Sequence, residues 1–172
     1  MTDTLAWTEK TTEIPAGGLN RDRVATPTEL KQVAEALGIL DASKLSVHYR
    51  VVAISGGAYR LTGTLAADVE QACVVSLEPV GDNLKAAFEV EFWPDLKPTE
   101  SDEEASILNG TDAERLEHGL IPVGRIVYET LSASLDPYPR REGAEFDWQD
   151  KAAKKSDSAN PFSALSKLKG QG

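Results

Sequence analysis

Few side chains in this chain are equipped for covalent chemistry. Cys73 is the one thiol, and His48 and His118 are the two imidazoles. A cysteine nucleophile needs a nearby base and a lowered pKa. Cys73 alternates with Val75 and Leu77, which predicts an inward-facing, structural sulfur. A tetrahedral metal site would have to draw on both histidines, Cys73 and carboxylates, and no spacing here resembles a zinc motif. Carboxylates themselves carry little information: 28 acidic residues stand against 18 basic ones, so possible acid–base pairs occur throughout. Gly56-Gly57 leads into another apolar alternation rather than a helix N-terminus, unlike a phosphate-binding loop. The expectation is a protein with no catalytic, cofactor-binding or metal-binding residues, and not an enzyme.

The formal net charge of −10 repels a phosphate backbone over most of the surface and suits basic protein partners. A single cysteine excludes an intrachain disulfide, and a reducing compartment follows. The opening Met1-Thr2-Asp3-Thr4 has neither a basic nor an apolar signal region, and no apolar run approaches the ~20 residues of a membrane span. These features point to a cytoplasmic location. With 41% hydrophobic residues in 172, one domain of ordinary size can build a core.

The elements that must carry these residues are legible in their periods. Residues 4–14, with Leu5 and Trp7 alternating, suggest a strand, and a polar loop follows Pro15-Ala16-Gly17-Gly18. Thr26, Pro27 and Glu29 spell a capping box with proline at the first helical position. Leu30, Val33, Ala34 and Leu37 share one face, and Gly38 ends that helix over 27–37. The period then changes to two. Four strands are predicted over 45–54, 58–65, 73–80 and 84–93, with turns at Gly56-Gly57 and Gly81-Asp82-Asn83. They form an antiparallel sheet or partial barrel with one buried face, covered by the first helix and by a second over 123–135. Leu120, Val123, Val127 and Leu131 give the second helix its stripe, and Asp136-Pro137 stops it. The fold class is α+β.

Between these elements lies an acidic insert, residues 95–118, with eight acids and two bases, in which 114–116 could begin a short helix. The domain organisation is thus a single α+β domain over 1–149, including the insert, followed by a linker and short C-terminal helical motif over 150–172. Residues 151–172 hold five lysines and one aspartate, so charge is polarised between body and tail. Asn160 and Pro161 begin a helix whose Phe162, Leu165 and Leu168 lie on one side. So short a helix is unstable alone in water. Burial of those three side chains would return roughly 5–9 kcal/mol before ordering costs, enough to dock the tail on a surface.

Three stretches resemble signatures of one family. Cys73 followed by Ser76-Leu77-Glu78-Pro79-Val80 is similar to the central signature of the YceD family, the large ribosomal RNA subunit accumulation proteins. Val123-Gly124-Arg125-Ile126-Val127 with Glu129-Thr130-Leu131 resembles its second signature. Asn160-Pro161-Phe162-Ser163-Ala164-Leu165-Ser166-Lys167-Leu168-Lys169 resembles its terminal motif. The N-terminal part resembles the proteobacterial, hence bacterial, branch. The family often has a second cysteine three after the first, where this chain has Ser76. Some members carry a later cysteine pair after the second helix, which is absent here. A metal role in cysteine-rich relatives therefore does not transfer. The resemblance implies a part in the synthesis, processing or stability of large-subunit (23S) ribosomal RNA, without a known catalytic activity. Cys73, Leu77, Glu78, Pro79, Val80, Gly124, Glu129 and Leu131 are the signature residues, and Asn160, Pro161, Phe162, Leu165, Lys167, Leu168 and Lys169 the expected partner-binding set. The expected partner is a ribosome-assembly or RNA-processing protein, with large-subunit rRNA contacted directly or indirectly and no membrane. An adaptor working through the tail is the leading reading. The alternatives are direct RNA binding by the tail with Arg140-Arg141, and an unrecognised hydrolase.

Overall fold

The computed structural model describes residues 4–95 and 112–145. The terminal motif and most of the acidic insert lie outside the described residues. In chain order the elements are β1 (Glu9–Lys10), β2 (Leu19–Val24), α1 (Pro27–Leu37), β3 (Asp41–Ala53), β4 (Tyr59–Ala72), β5 (Pro79–Trp93), β6 (Asp112–Arg115), β7 (Leu120–Ile121) and α2 (Val123–Ser134). One sheet runs β2-β3-β4-β5-β6, and a two-stranded sheet joins β1 to β7. The α+β expectation holds. Pairing in the large sheet is antiparallel except at its edge, where β6 lies parallel to β5 with Asp112 opposite Val90. The sheet is open, since β2 and β6 are its two edges.

Period-two patterning decides which face is buried. Leu45, Val47, Tyr49 and Val51 of β3, Leu61 and Leu65 of β4, and Phe88, Val90 and Phe92 of β5 enter the core. His48, Arg50, Thr64, Lys85 and Glu89 alternate with them and face outward. The β3–β4 hairpin turns at Gly56 and Gly57, both with positive φ (75° and 73°), so the antiparallel prediction for these flanks holds. Thr26 and Glu29 form the reciprocal capping box of α1, and Gly38, at φ 67°, closes it in the left-handed conformation. Val33 and Ala34 of α1 and Val123, Ile126, Val127 and Leu131 of α2 join the same core.

Five expectations are corrected. The span 73–80 is not a strand: 73–78 is the connection of a β4–β5 hairpin, and strand geometry resumes only at Pro79. Gly81-Asp82-Asn83, taken for the turn, lies within β5 opposite Glu70, Val69 and Asp68. Residues 114–116 begin no helix; Glu114 belongs to β6 and is paired beside Phe92. Within 4–14 only β1 is strand, followed by a 3-10 turn over Thr11–Glu13, whereas the supposed polar loop contains β2.

The composition of β2 explains why it escapes a hydrophobic pattern. Its Arg21 and Arg23 sit opposite the buried Tyr49 and Val47, on the core side. There they meet Glu9, a carboxylate only 3% exposed. Glu9 accepts hydrogen bonds from the Tyr49 hydroxyl (2.5 Å) and Arg23 (3.4 Å), and pairs with Arg21 Nε at 3.2 Å. Desolvation, and then the hydrogen bond to Glu9, push the Tyr49 phenol above its ordinary pKa. Arg23 also lies 5.9 Å from the Trp7 ring centroid, and Trp7 Nε1 donates to Glu29 at 2.8 Å. A buried charge is tolerable only when paired and hydrogen-bonded in this way. This network ties the N-terminal segment to β2, β3 and the first turn of α1.

Candidate functional site

The first signature forms the β4–β5 connection and the start of β5, and the second runs along α2 from Val123 to Leu131. At its N-terminal end, Gly124 N–H donates to Trp7 O (2.8 Å). A Cβ added at Gly124 would stand 1.9 Å from Leu5 O and 2.8 Å from its carbonyl carbon. Close approach of backbone, rather than a positive φ, is the reason for glycine here. The surface approached is the N-terminal segment and not the large sheet. Glu129 accepts from Arg125 one turn earlier (3.0 Å), and Arg125 also donates to Glu114 of β6. The hydrogen bonds to Glu114 hold the Arg125 guanidinium more firmly protonated. The signature glutamate thus fixes the arginine that pins the helix to the edge strand. Leu131 is fully buried.

At the other end, the segment after α2 lies against the 73–78 connection. Val74 N–H donates to Pro139 O (2.9 Å), Gln71 Nε2 to Asp136 O (2.9 Å), and Arg141 N–H to Cys73 Sγ (3.4 Å). Arg141 also forms an ion pair with Glu78. The connection closes on itself through Cys73 N–H to Glu78 O (2.8 Å) and Leu77 N–H to Cys73 O (2.9 Å). Ser76 N–H is a second backbone donor to Sγ, at 3.4 Å. Cys73 is buried as expected, but not by strand alternation: Leu77 is 76% exposed and Val74 47%. Leu77 adopts φ 61°, a left-handed conformation costing a bulky residue roughly 1–2 kcal/mol, held here by the surrounding bonds. Pro79 and Val80 begin β5.

The hydrogen bonds to sulfur lower the Cys73 thiol to about 6, the Arg141 N–H contributing most and Ser76 next, while desolvation opposes the shift. Its hydrogen-bond partners are backbone amides and Ser76, with no imidazole among them. His48 instead faces outward against Asp22 (2.8 Å), and His118 sits in a turn at φ 52°. The sulfur acts as an acceptor that joins two chain segments. A pH dependence follows. The folded pKa lies below the ~8.5 of a free cysteine, so the thiolate's contribution is complete above that value and is lost as pH falls through about 6. Cys73→Ala is expected to melt slightly lower than the parent, with a gap that widens as pH is raised across this window. Thermal scans at several pH values check it; a pH-independent gap would show that the sulfur stays a thiol. Partner capture by the alanine variant should equal the parent's, and its loss in a folded variant would give the thiol a direct role.

Among the described residues no cluster of three or more His, Cys, Asp or Glu could hold a metal ion, and no helix is long and apolar enough to cross a membrane. The arrangement is that of a small α+β protein whose singled-out residues build joints: a helix start on the N-terminal segment, a helix–edge-strand clamp, and a hairpin tied to the segment that leaves α2. The chain matches the family described as "Large ribosomal RNA subunit accumulation protein YceD" over residues 61–169. It belongs to that family. No curated protein and no solved structure matches it.

Of the residues the sequence reading names as signature positions, Cys73, Glu78, Gly124, Glu129 and Leu131 stand at these joints. It names Leu77 and Arg125 within the signatures and Arg141 as an alternative RNA contact, but assigns none of them its place in these joints, and it singles out neither Glu114 as a clamp partner nor the exposed Val74 and Tyr138. Of these, only the charge opposition of Arg141 and Glu78 leaves a trace in the sequence, and their separation along the chain hides it.

Proposed function

We propose that this protein is a non-catalytic accessory factor in the synthesis, processing or stability of large-subunit ribosomal RNA, acting as an adaptor through its C-terminal motif. The observation that carries this reading is the reach of the family match. It continues to residue 169, through Asn160, Pro161, Phe162, Leu165, Lys167, Leu168 and Lys169. Signature residues in the body hold joints together, and the terminal motif supplies an aromatic and two leucines at helical spacing beside lysines. A protein carrying −10 net charge is a poor ligand for a phosphate backbone and a good one for a basic protein. The expected partner is a ribosome-assembly or RNA-processing protein in the cytoplasm.

Direct RNA binding by the tail with Arg140 and Arg141 is the second reading, and the basic tail favours it. Against it, the Arg141 guanidinium is already engaged by Glu78. Affinity capture on the full chain, with and without nuclease, separates the two. A ribosome-assembly or processing protein retained after nuclease treatment, and lost from the Phe162→Ala chain, is the expected result. Retention that disappears with nuclease, and weakens steeply with salt, would replace the adaptor with an RNA-binding module.

A further inference from the structure

Val74, Leu77 and Tyr138 account for three of the large hydrophobic residues exposed among the described residues, at 47%, 76% and 72%. They stand on two chain segments that are hydrogen-bonded to each other. Val74 and Leu77 belong to the hairpin connection, and Tyr138 to the segment bonded to it through Pro139 and Arg141. The cost of presenting Leu77 is visible in its backbone, which holds φ 61° instead of relaxing to a conformation common for leucine. Glu70, Asp82, Asp136 and Glu142 stand on these same segments or at the adjoining strand ends, against Arg140, while Arg141 is committed to Glu78. An apolar patch in an acidic setting fits a short basic amphipathic segment.

The chain contains such a segment. Phe162, Leu165 and Leu168 recur at helical spacing, with Lys167 and Lys169 beside them. It is joined to the second of those two chain segments: the Ala144 N–H turns back on Arg141 O at 3.1 Å, and Glu145 follows. A chain of the length between Glu145 and Asn160 can reach roughly 20 Å at the ~5–6 Å per square root of residue number of a flexible linker, enough to return to this part of the body. A tether of that length gives an effective concentration in the millimolar range, so even a weak contact is largely occupied.

We propose that the Val74–Leu77–Tyr138 patch is the docking surface for the chain's own C-terminal segment, Asn160 to Lys169, with Phe162 as its anchor. Docked there, the segment is withheld from any external partner, and its release exposes Phe162. The docking is a property of the isolated chain and needs no partner to be observed.

The test uses amide NMR spectra of the full chain and two variants. Phe162→Ala removes the anchor from the tail. Leu77→Gly removes the exposed side chain from the patch at a position where φ 61° suits glycine, so the fold is kept. Phe162→Ala is expected to shift amides over 73–78 and 138–142, and Leu77→Gly to shift amides over 160–169. Both sets of shifts should persist on tenfold dilution and shrink as salt is raised. Unmoved patch amides in Phe162→Ala would overturn the proposal, and shifts that vanish on dilution would replace it with docking between two copies. Should the patch amides stay unmoved while nuclease-resistant capture still requires Phe162, the adaptor reading stands and only the self-docking fails.

Discussion

Gly124→Val is expected to destabilise the fold by about 3 kcal/mol or more, given the usual range for overpacking against an unyielding neighbour. For a domain of this size that is a fall in melting temperature of roughly 10 °C. The neighbour is backbone: the first added carbon would already lie 1.9 Å from Leu5 O, so no rotamer change relieves the clash. Either the start of α2 or the N-terminal segment must move. If the segment moves, the hydrogen bond from Gly124 N–H to Trp7 O breaks. Leu5 and Trp7, both nearly fully buried, then lose their seat. Trp7 also bonds Glu29, so the loss reaches the first turn of α1. Gly124→Ala should show most of the effect, because the Cβ alone makes the collision. Thermal unfolding of both variants followed by tryptophan fluorescence checks this; a parent-like transition in the alanine variant would mean that the two backbones stand far enough apart to admit a Cβ.

What the sequence discloses follows from where local chemistry decides structure. The capping box at Thr26 and Glu29, the left-handed Gly38, and the two-residue alternation of β3, β4 and the later part of β5 are local signals, and each appears in the structure. Gly124 is legible only as a signature residue, because the backbone it approaches, at Leu5, is distant in sequence. The misses arise where tertiary pairing overrides pattern. Arg21 and Arg23 face the core side because Glu9 waits there, so β2 shows no apolar alternation. The β6 strand is short, charged and parallel to its neighbour, and nothing in Asp112–Arg115 alone asks for a strand. The 73–78 connection carries its left-handed residue on Leu77 rather than on glycine or asparagine. The usual turn residues, Gly81-Asp82-Asn83, fall inside β5 instead. The tie between this connection and the segment after α2 is made largely by backbone groups, Val74 N–H to Pro139 O and Arg141 N–H to Sγ. Backbone bonds of that kind leave almost no imprint on residue type.

Deleting residues 160–172 should separate function from stability. The described body builds a core of its own around Val33, Tyr49, Phe92 and Leu131, all fully buried. A tail held only by a weak tethered contact contributes little to the folding equilibrium, of order 1 kcal/mol when its effective concentration is a few times the Kd. The melting temperature of the deletion variant is therefore expected within about 3 °C of the parent. Co-purification of the partner should be abolished, and large-subunit rRNA should fall in cells carrying only the shortened chain. Phe162→Ala should reproduce most of that loss, since an aromatic anchor carries a disproportionate share of a small interface. Replacing Lys167 and Lys169 with glutamine acts differently. It should slow association and flatten its dependence on salt, while the dissociation rate, set by the apolar anchors, changes less. Calorimetry, capture and rRNA quantification on the same set of variants test these statements together. A large fall in melting temperature with capture intact would make the tail an intramolecular staple and move the recognition surface to the acidic body, beginning with Asp95, Asp112, Glu114 and Glu117.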